Sequence, residues 1–174
     1  MIWNLFLFSP LWFGYPRGIQ TSGPRWGYNN HGQLGIENKI EQLIPLRLNL
    51  QLINIGIGYF NSFGINFNKE FYCWGDKNGL GIESEEDKVS PFKTNLLFNK
   101  LYSGFDYTFA IDLNNEIYSF GYNGFGQLGD GTKDDQQVAQ KIGLKLIEKK
   151  KKPVIFKSLI LNEKLDLLFY FWLE

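Results

Sequence analysis

The chain has 174 residues, a length that suits one domain with a substantial buried core. Its 18 Lys and Arg residues balance 18 Asp and Glu residues, so an obligatory nucleic-acid partner is not expected. Hydrophobic content of 44% and charged content of 21% exclude a disordered acidic or basic tail. Aromatic content of 17% with 19 glycines favours turn-rich β structure, and a single cysteine excludes an internal disulfide.

The first fifteen residues are strongly apolar, but they do not have the form of a secretory signal. Such a signal begins with basic residues, whereas the first basic residue here is Arg17. A transmembrane helix needs about 18 apolar residues, and residues 1–15 and the apolar stretch 165–173 are both shorter. We therefore expect no membrane span and an intracellular location, in the cytoplasm or the nucleus.

A repeat organises the middle of the chain. Three segments begin with an aromatic residue and Gly and end with Leu-Gly, and they occupy residues 26–35, 74–81 and 120–129. Gly35 and Gly81 are 46 positions apart, and Gly81 and Gly129 are 48 apart. The register extends further, since Gly58 follows Gly35 by 23 positions and Gly104 follows Gly81 by the same number. A period of this length, with room for about four strands, is typical of a β-propeller blade.

Each unit predicts a β-hairpin. Apolar residues alternate with small or polar ones and Asn-rich turns follow, so the expected strand pairs are residues 61–67 with 70–75, and 108–113 with 116–121. Residues 52–58 and 100–104 predict a further, inner strand of each unit. The glycine-rich segments are expected to be loops that cross from one sheet to the next.

The pattern W-G-x-N-x-x-G-Q-L-G, then Pro, then G-x-x-x-[ST]-x-[AG]-[LI], then [IF]-Y-x-[WF]-G resembles the repeat of the regulator of chromosome condensation family. The resemblance covers residues 26–132, with two full periods and the start of a third. It implies an all-β fold of antiparallel four-stranded propeller blades. About three blades are expected, an incomplete ring, because the family's closed ring has seven. The expected structural positions are Trp26, Gly35, Gly58, Trp74, Gly81, Gly104, Phe120 and Gly129.

Both flanks depart from the pattern. Before Trp26, Gly23 and Pro24 stand where a strand should carry apolar residues. After the third copy begins, Ala139 replaces the expected proline and Lys152 replaces the expected glycine. The expected organisation is an apolar segment 1–25, repeats at about 26–73, 74–119 and 120–132, and a divergent Lys-rich and apolar segment 133–174.

No residue combination points to catalysis. His31 is the only histidine, which excludes a two-histidine mechanism, and a metal site would need several other ligands nearby. Cys73 lies in a predicted strand and is expected to be a buried, inert thiol. The acidic segment 83–87 predicts a solvated turn, and the lysines 149–152 a solvated linker or, alternatively, a nuclear-import patch. We expect no enzyme, no cofactor and no metal.

The predicted function is protein–protein interaction through loops on one propeller face. The expected contact residues are Tyr28, Asn29, Asp76, Lys77, Tyr122 and Asn123. One alternative, implied by the resemblance, is guanine-nucleotide exchange on a Ran-type small GTPase. Another is a fragment without independent activity. Open sheet edges also predict self-association.

Overall fold

The computed structural model describes residues 24–145, in which every named strand pairs antiparallel with its neighbours and loops connect the strands. Among these residues the only helical element is a 3-10 turn, Lys77–Gly79, and no helix is long and apolar enough to cross a membrane. Predictions for the apolar ends and the lysines 149–152 lie outside the described residues. The strands are β1 Pro24–Gly27, β2 Gln42–Arg47, β3 Asn54–Ile57, β4 Asn61–Ile65, β5 Glu70–Gly75, β6 Lys88–Ser103, β7 Tyr107–Asp112, β8 Glu116–Gly121 and β9 Gln136–Lys145.

The described strands form half of one blade, called the first, and two complete four-stranded blades, called the second and the third. Strands β1 and β2 pair with each other and form the outer half of the first blade. The second blade contains β3, β4, β5 and residues 88–97 of β6, and the third contains residues 98–103 of β6 with β7, β8 and β9. Strand β6 therefore passes from one blade to the next without a break. The predicted all-β, partial propeller is confirmed.

The predicted hairpins form around two equivalent turns. The Asn66 side-chain oxygen accepts from the amides of Asn68 and Glu70, and Asp112 accepts likewise from Asn114 and Glu116. These short polar side chains close the turns locally, which explains why the two hairpins share one geometry.

The glycine-rich segments do not cross between sheets, and this prediction is corrected. We call residues 28–41 the first loop, 76–87 the second loop and 122–135 the third loop. Each connects the third and fourth strands of one blade, because the fourth strand returns antiparallel beside the third. The passage between blades is made by residues 48–53 and by β6.

The blades also extend beyond the limits expected from the sequence. Strand β1 begins at Pro24, which pairs with Arg47; proline is tolerated as the first residue of a strand. Strand β9 completes the third blade beyond residue 132, although Ala139 replaces the repeated proline. The Ala139 amide, which proline lacks, donates to the Gly81 carbonyl of the second loop at 3.0 Å.

Aromatic rings fill the core between the second and third blades. Phe63, Phe71 and Phe120 are fully buried, and their ring centroids lie between 5.5 and 6.2 Å apart. Cys73 is buried with them, and burial raises the pKa of its thiol to about 12, so it is inert at neutral pH.

All three loops lie at one edge of the blades, together with the short turns 58–60 and 104–106. The Asp76 amide donates to the Phe60 carbonyl at 3.0 Å, and the Tyr122 amide donates to the Asp106 carbonyl at 2.7 Å. We call this the loop edge. The hairpin turns 66–69 and 113–115 lie at the opposite, hairpin edge.

Candidate functional site

Two buried asparagines hold the first and third loops in shape. The Asn29 side-chain oxygen accepts from the Leu34 amide at 2.9 Å, and Asn123 accepts from the Leu128 amide at the same distance. Their side-chain amides donate to carbonyls further along each loop. Both side chains are fully buried, so the interpretation of Asn29 and Asn123 as partner contacts does not hold.

Glycines of one blade receive aromatic residues of the next. Gly35 has φ +66°, and a Cβ there would lie 2.8 Å from Nε1 of Trp74. Gly81 has φ +75°, and a Cβ would lie 2.9 Å from the Phe120 ring. The absence of a side chain lets each aromatic residue lie directly on the loop of the preceding blade.

Polar contacts accompany this packing. The Gln33 carbonyl, in the first loop, accepts from Nε1 of Trp74 at 2.9 Å and from Oγ of Ser62 at 2.8 Å. Both donors belong to the second blade. We call this carbonyl, together with Gly35, the aromatic-binding site of the first loop.

The glycines of the short turns also lie in crowded surroundings. The Gly58 amide donates to the Asn61 carbonyl, and the Gly104 amide donates to the Tyr107 carbonyl, both at 2.8 Å. A Cβ at Gly104 would lie 2.6 Å from the Tyr107 ring. These glycines therefore shape the loop edge.

A buried arginine, which no sequence pattern predicted, joins the first two blades. Nη1 of Arg25 donates to the Leu34 carbonyl at 2.8 Å, and the guanidinium lies 4.6 Å from the centre of the Trp74 ring. Burial lowers the pKa of Arg25 to about 10, so it stays charged at neutral pH. The equivalent residues, Cys73 and Ser119, differ in type, so no repeated pattern marks this position.

The first and second loops also meet through charged side chains. Nδ1 of His31 lies 3.5 Å from Oδ2 of Asp76 and 3.3 Å from Oδ2 of Asp87. Nζ of Lys39 lies 2.6 Å from the same Asp87 oxygen. His31 is therefore a loop residue, as expected, but the structure supplies carboxylates beside it that the sequence did not suggest.

Electrostatics favours an ion-pair cluster here. Burial tends to raise the pKa of Asp87, but hydrogen bonds from Lys39 and the Lys77 amide, with the nearby charges of Lys39 and His31, lower it overall. The donor atoms of His31, Asp76 and Asp87 lie within 4.8 Å of one another and could contact a cation. The Lys39 ammonium pairs with Asp87, so one of the two carboxylates already has a cation beside it.

Aromatic side chains form a continuous surface along the loop edge. The Phe60 ring lies 6.2 Å from Tyr28 and 4.2 Å from Tyr59, and Tyr59 stacks on Phe105 at 4.2 Å with an interplanar angle of 25°. We call Tyr28, Phe60, Tyr59 and Phe105 the aromatic ladder. It connects the first loop with both short turns, and Phe105 at its end is 60% exposed.

The third loop carries a second exposed aromatic pair. The rings of Tyr122 and Phe125 lie 6.0 Å apart, and Phe125 is 84% exposed. Lys77 is also exposed in the second loop. Of the six residues predicted to contact a partner, Tyr28, Lys77 and Tyr122 thus reach the surface, and Asp76 lies in the ion-pair cluster.

Four aromatic residues of this surface were missed from the sequence. They are Tyr59, Phe60, Phe105 and Phe125. A signal was present for Tyr59 and Phe105, because an aromatic residue directly follows the repeated glycine in both G-Y-F-N and G-F-D-Y.

Comparison with known proteins supports the repeat and the fold. The family Regulator of chromosome condensation (RCC1) repeat matches residues 114–158. The resemblance to this repeat is thereby confirmed, and the match extends past residue 132. No curated protein matches the chain.

Solved structures of the same architecture are also similar. Prp20p from Saccharomyces cerevisiae, described with its binding properties to Gsp1p and histones, shares 24% identity and a TM-score of 0.61, covering 68% of this chain and 33% of that one. Yeast RCC1 (Prp20) in complex with Kap60 matches with the same identity and TM-score over 68% of this chain and 32% of that one. Human WBSCR16 shares 17% identity and a TM-score of 0.60, covering 71% and 35% respectively. The chain spans about a third of the length of these structures.

Proposed function

We propose that this chain is a non-catalytic protein-interaction module whose contact surface is the loop edge. The observation that carries this proposal is the aromatic ladder, which ends in the exposed ring of Phe105. Aromatic residues are enriched at the centres of protein interfaces, because they bury a large area at a small cost in conformational entropy.

The surface is supported from below, which suits a binding surface. The Phe105 ring stacks on Tyr59, which meets Phe60 edge to face, and the Tyr59 amide donates to the Phe105 carbonyl at 2.5 Å. A contact residue held in place loses less freedom when a partner binds. The exposed rings offer mainly apolar area, so a partner with apolar groups would fit this surface best.

The proposal is tested with Phe105→Ala and Phe125→Ala in the full chain. Both side chains are largely exposed, so the fold should survive their truncation. The matched control is Phe67→Ala, since Phe67 is 52% exposed but lies at the hairpin edge. A partner captured by the wild type is identified and purified, and its affinity for each variant is measured by calorimetry.

We expect Phe105→Ala to weaken binding by about thirtyfold, the usual effect of removing an aromatic anchor, and Phe67→Ala to leave it unchanged. Equal binding by all variants would show that the loop edge is not the contact surface. A loss for Phe67→Ala alone would move the surface to the hairpin edge.

Guanine-nucleotide exchange is the second candidate, supported by the likeness to Prp20p, whose description includes binding to Gsp1p. An exchanger must compete with the phosphate and metal contacts of a nucleotide, which needs an extended rigid surface. The test is release of a fluorescent nucleotide from purified Gsp1p with the full chain added. Faster release that Phe105→Ala abolishes would favour exchange, and an unchanged rate would leave binding alone.

A further inference from the structure

The third loop has the same aromatic-binding site as the first. In the first loop, Trp74 lies on Gly35 and donates to the Gln33 carbonyl. The corresponding residues of the third loop are Gly129 and Gln127. Among the described residues, no atom lies within 4 Å of the position that a Gly129 Cβ would take.

The site of the third loop already has its final shape. Gly129 has φ +68° and Gly35 has φ +66°. Four backbone hydrogen bonds correspond one to one: Gly32 to Asn29 at 2.9 Å and Gly35 to Gly32 at 2.8 Å in the first loop, and Gly126 to Asn123 at 2.7 Å and Gly129 to Gly126 at 3.1 Å in the third. A ring can therefore bind without reorganising the third loop.

The matching aromatic residue lies at the other end of the described chain. Trp26 precedes Gly27, with φ +106°, just as Trp74 precedes Gly75, with φ +110°. Both tryptophans lie at the same register shift between the third and fourth strands of their blades. Trp26 thus has the backbone geometry that places Trp74 on the preceding loop, yet it is only partly buried.

Loop length distinguishes the two kinds of aromatic partner. The shorter second loop, with N-G-L-G, receives Phe120, whereas the first loop, with G-Q-L-G, receives a tryptophan. The third loop has the G-Q-L-G form. Its expected occupant is therefore a tryptophan that precedes a glycine of positive φ at a strand bulge, and Trp26 meets this description.

We propose that a second copy of this chain docks head to tail on the third blade. Trp26 of one copy lies on Gly129 of the other, and its Nε1–H donates to the Gln127 carbonyl. The interface uses different residues from the loop-edge surface proposed above, so it goes beyond that function and can fail separately. The chain has a net charge of zero, so no large electrostatic repulsion opposes the contact.

Such an interface is heterologous, because each copy contributes Trp26 on one side and Gly129 on the other. After two copies join, one of each remains available, so association continues until a ring closes. The molar mass should therefore rise with concentration.

The test is the molar mass of the full chain by light scattering over a range of micromolar concentrations. Gly129→Asn places a side chain in the site, and asparagine tolerates a positive φ. Gly131→Asn is the matched control, since Gly131 also has a positive φ and no described atom within 4 Å. We expect multimers for the wild type and Gly131→Asn, and monomers for Gly129→Asn.

A second variant addresses the tryptophan. Trp26→Ala should be monomeric, whereas Trp26→Phe should associate about fivefold more weakly, because only one hydrogen bond is lost. Circular dichroism checks that each variant is folded.

Mixing the two monomeric variants gives the decisive result. Gly129→Asn retains Trp26, and Trp26→Ala retains the open site, so an equimolar mixture should form a dimer and no larger species. A monomeric wild type, an equal effect of Gly129→Asn and Gly131→Asn, or a mixture that stays monomeric would each overturn the proposal. If the wild type is monomeric and Gly129→Asn lowers its stability, the proposal is also overturned, and the occupant of the site would be residues 146–174 of the same chain. Phe105→Ala should associate normally, which separates this interface from the loop edge.

Discussion

The first and third loops have nearly the same internal structure, but only the first is covered by a described blade. Each is closed by a buried asparagine and by glycines with positive φ. The first is also covered by Trp74 and Arg25, whereas nothing described lies on Gly129. The comparison shows that loop shape is set locally, and that contact with the next blade adds stability without creating the shape.

The largest difference in the free energy of unfolding is expected between Gly35→Ala and Gly129→Ala. Both introduce a Cβ at positive φ, which costs about 1 kcal/mol. At Gly35 the Cβ also collides with Trp74 and Arg25, so the total loss should be about 3 kcal/mol. Urea unfolding in dilute solution measures both losses, and equal values would show that Trp74 does not lie on the first loop.

The two asparagines give the next comparison. Asn29→Ala leaves the Leu34 amide and two carbonyls unpaired beneath the second blade, and we expect a loss of about 2 kcal/mol. Asn123→Ala should cost about 1 kcal/mol, because no described blade packs on the third loop, so the loop can rearrange until the freed groups find new partners. Thermal unfolding of the two variants side by side is the measurement. A larger loss for Asn123→Ala would contradict this explanation.

A single hydrogen bond is removed by Trp74→Phe. The indole Nε1 bond to Gln33 is lost while most of the ring remains, so the expected cost is about 1 kcal/mol. Phe120 occupies the equivalent position of the third blade, where it lies on the shorter second loop. Trp26→Phe serves as control and should not change the unfolding free energy of the dilute monomer.

The smallest expected effect concerns pH. The pKa of Asp87 is lower in the fold than in the unfolded chain, so its stabilising contribution is present above its ordinary pKa and is lost as pH falls through the folded value. Asp87→Asn should therefore lose less stability than the wild type between neutral and acidic pH. Denaturant midpoints across that range test this, with Asp134→Asn in the exposed third loop as control. Identical pH profiles for Asp87→Asn and the wild type would exclude a coupling between the first two loops.

Much of the blade could be predicted from the sequence, because residues at equivalent positions of the repeat have the same structural role in each blade. Alternating apolar residues and Asn-rich turns gave both hairpins, and the repeated glycines gave the loops. The path of the loops was wrong, since a glycine-rich segment shows that the chain turns but not which strand it rejoins. The contact surface was partly wrong for a similar reason. Asparagine occurs both in exposed loops and as a buried closure of a loop, and burial with hydrogen bonds distinguishes Asn29 from a surface residue.

Contacts between blades were the hardest to predict. Arg25 and the ion-pair cluster involve residue types that are not repeated, and their partners lie in another unit. A repeated sequence pattern predicts the residues that every blade shares. It cannot predict a contact that occurs in one blade only, because the residues that make this contact are not repeated. Trp74 shows the limit well: its position was predicted, but its bond to Gln33 required the structure.

Strand β6 ties the second and third blades into one mechanical unit. Of its 16 residues, 88–97 pair in the second blade and 98–103 pair in the third. Opening either blade therefore disturbs the strand that both blades share. The chain passes from the first blade to the second through residues 48–53, which form no strand, and the other links are side-chain and loop contacts such as Trp74 with Gln33. Native-state hydrogen exchange should therefore show the second and third blades opening together, and the first opening at lower free energy. On heating or under force, the two strands of the first blade would then separate first, and the second and third blades would unfold together afterwards.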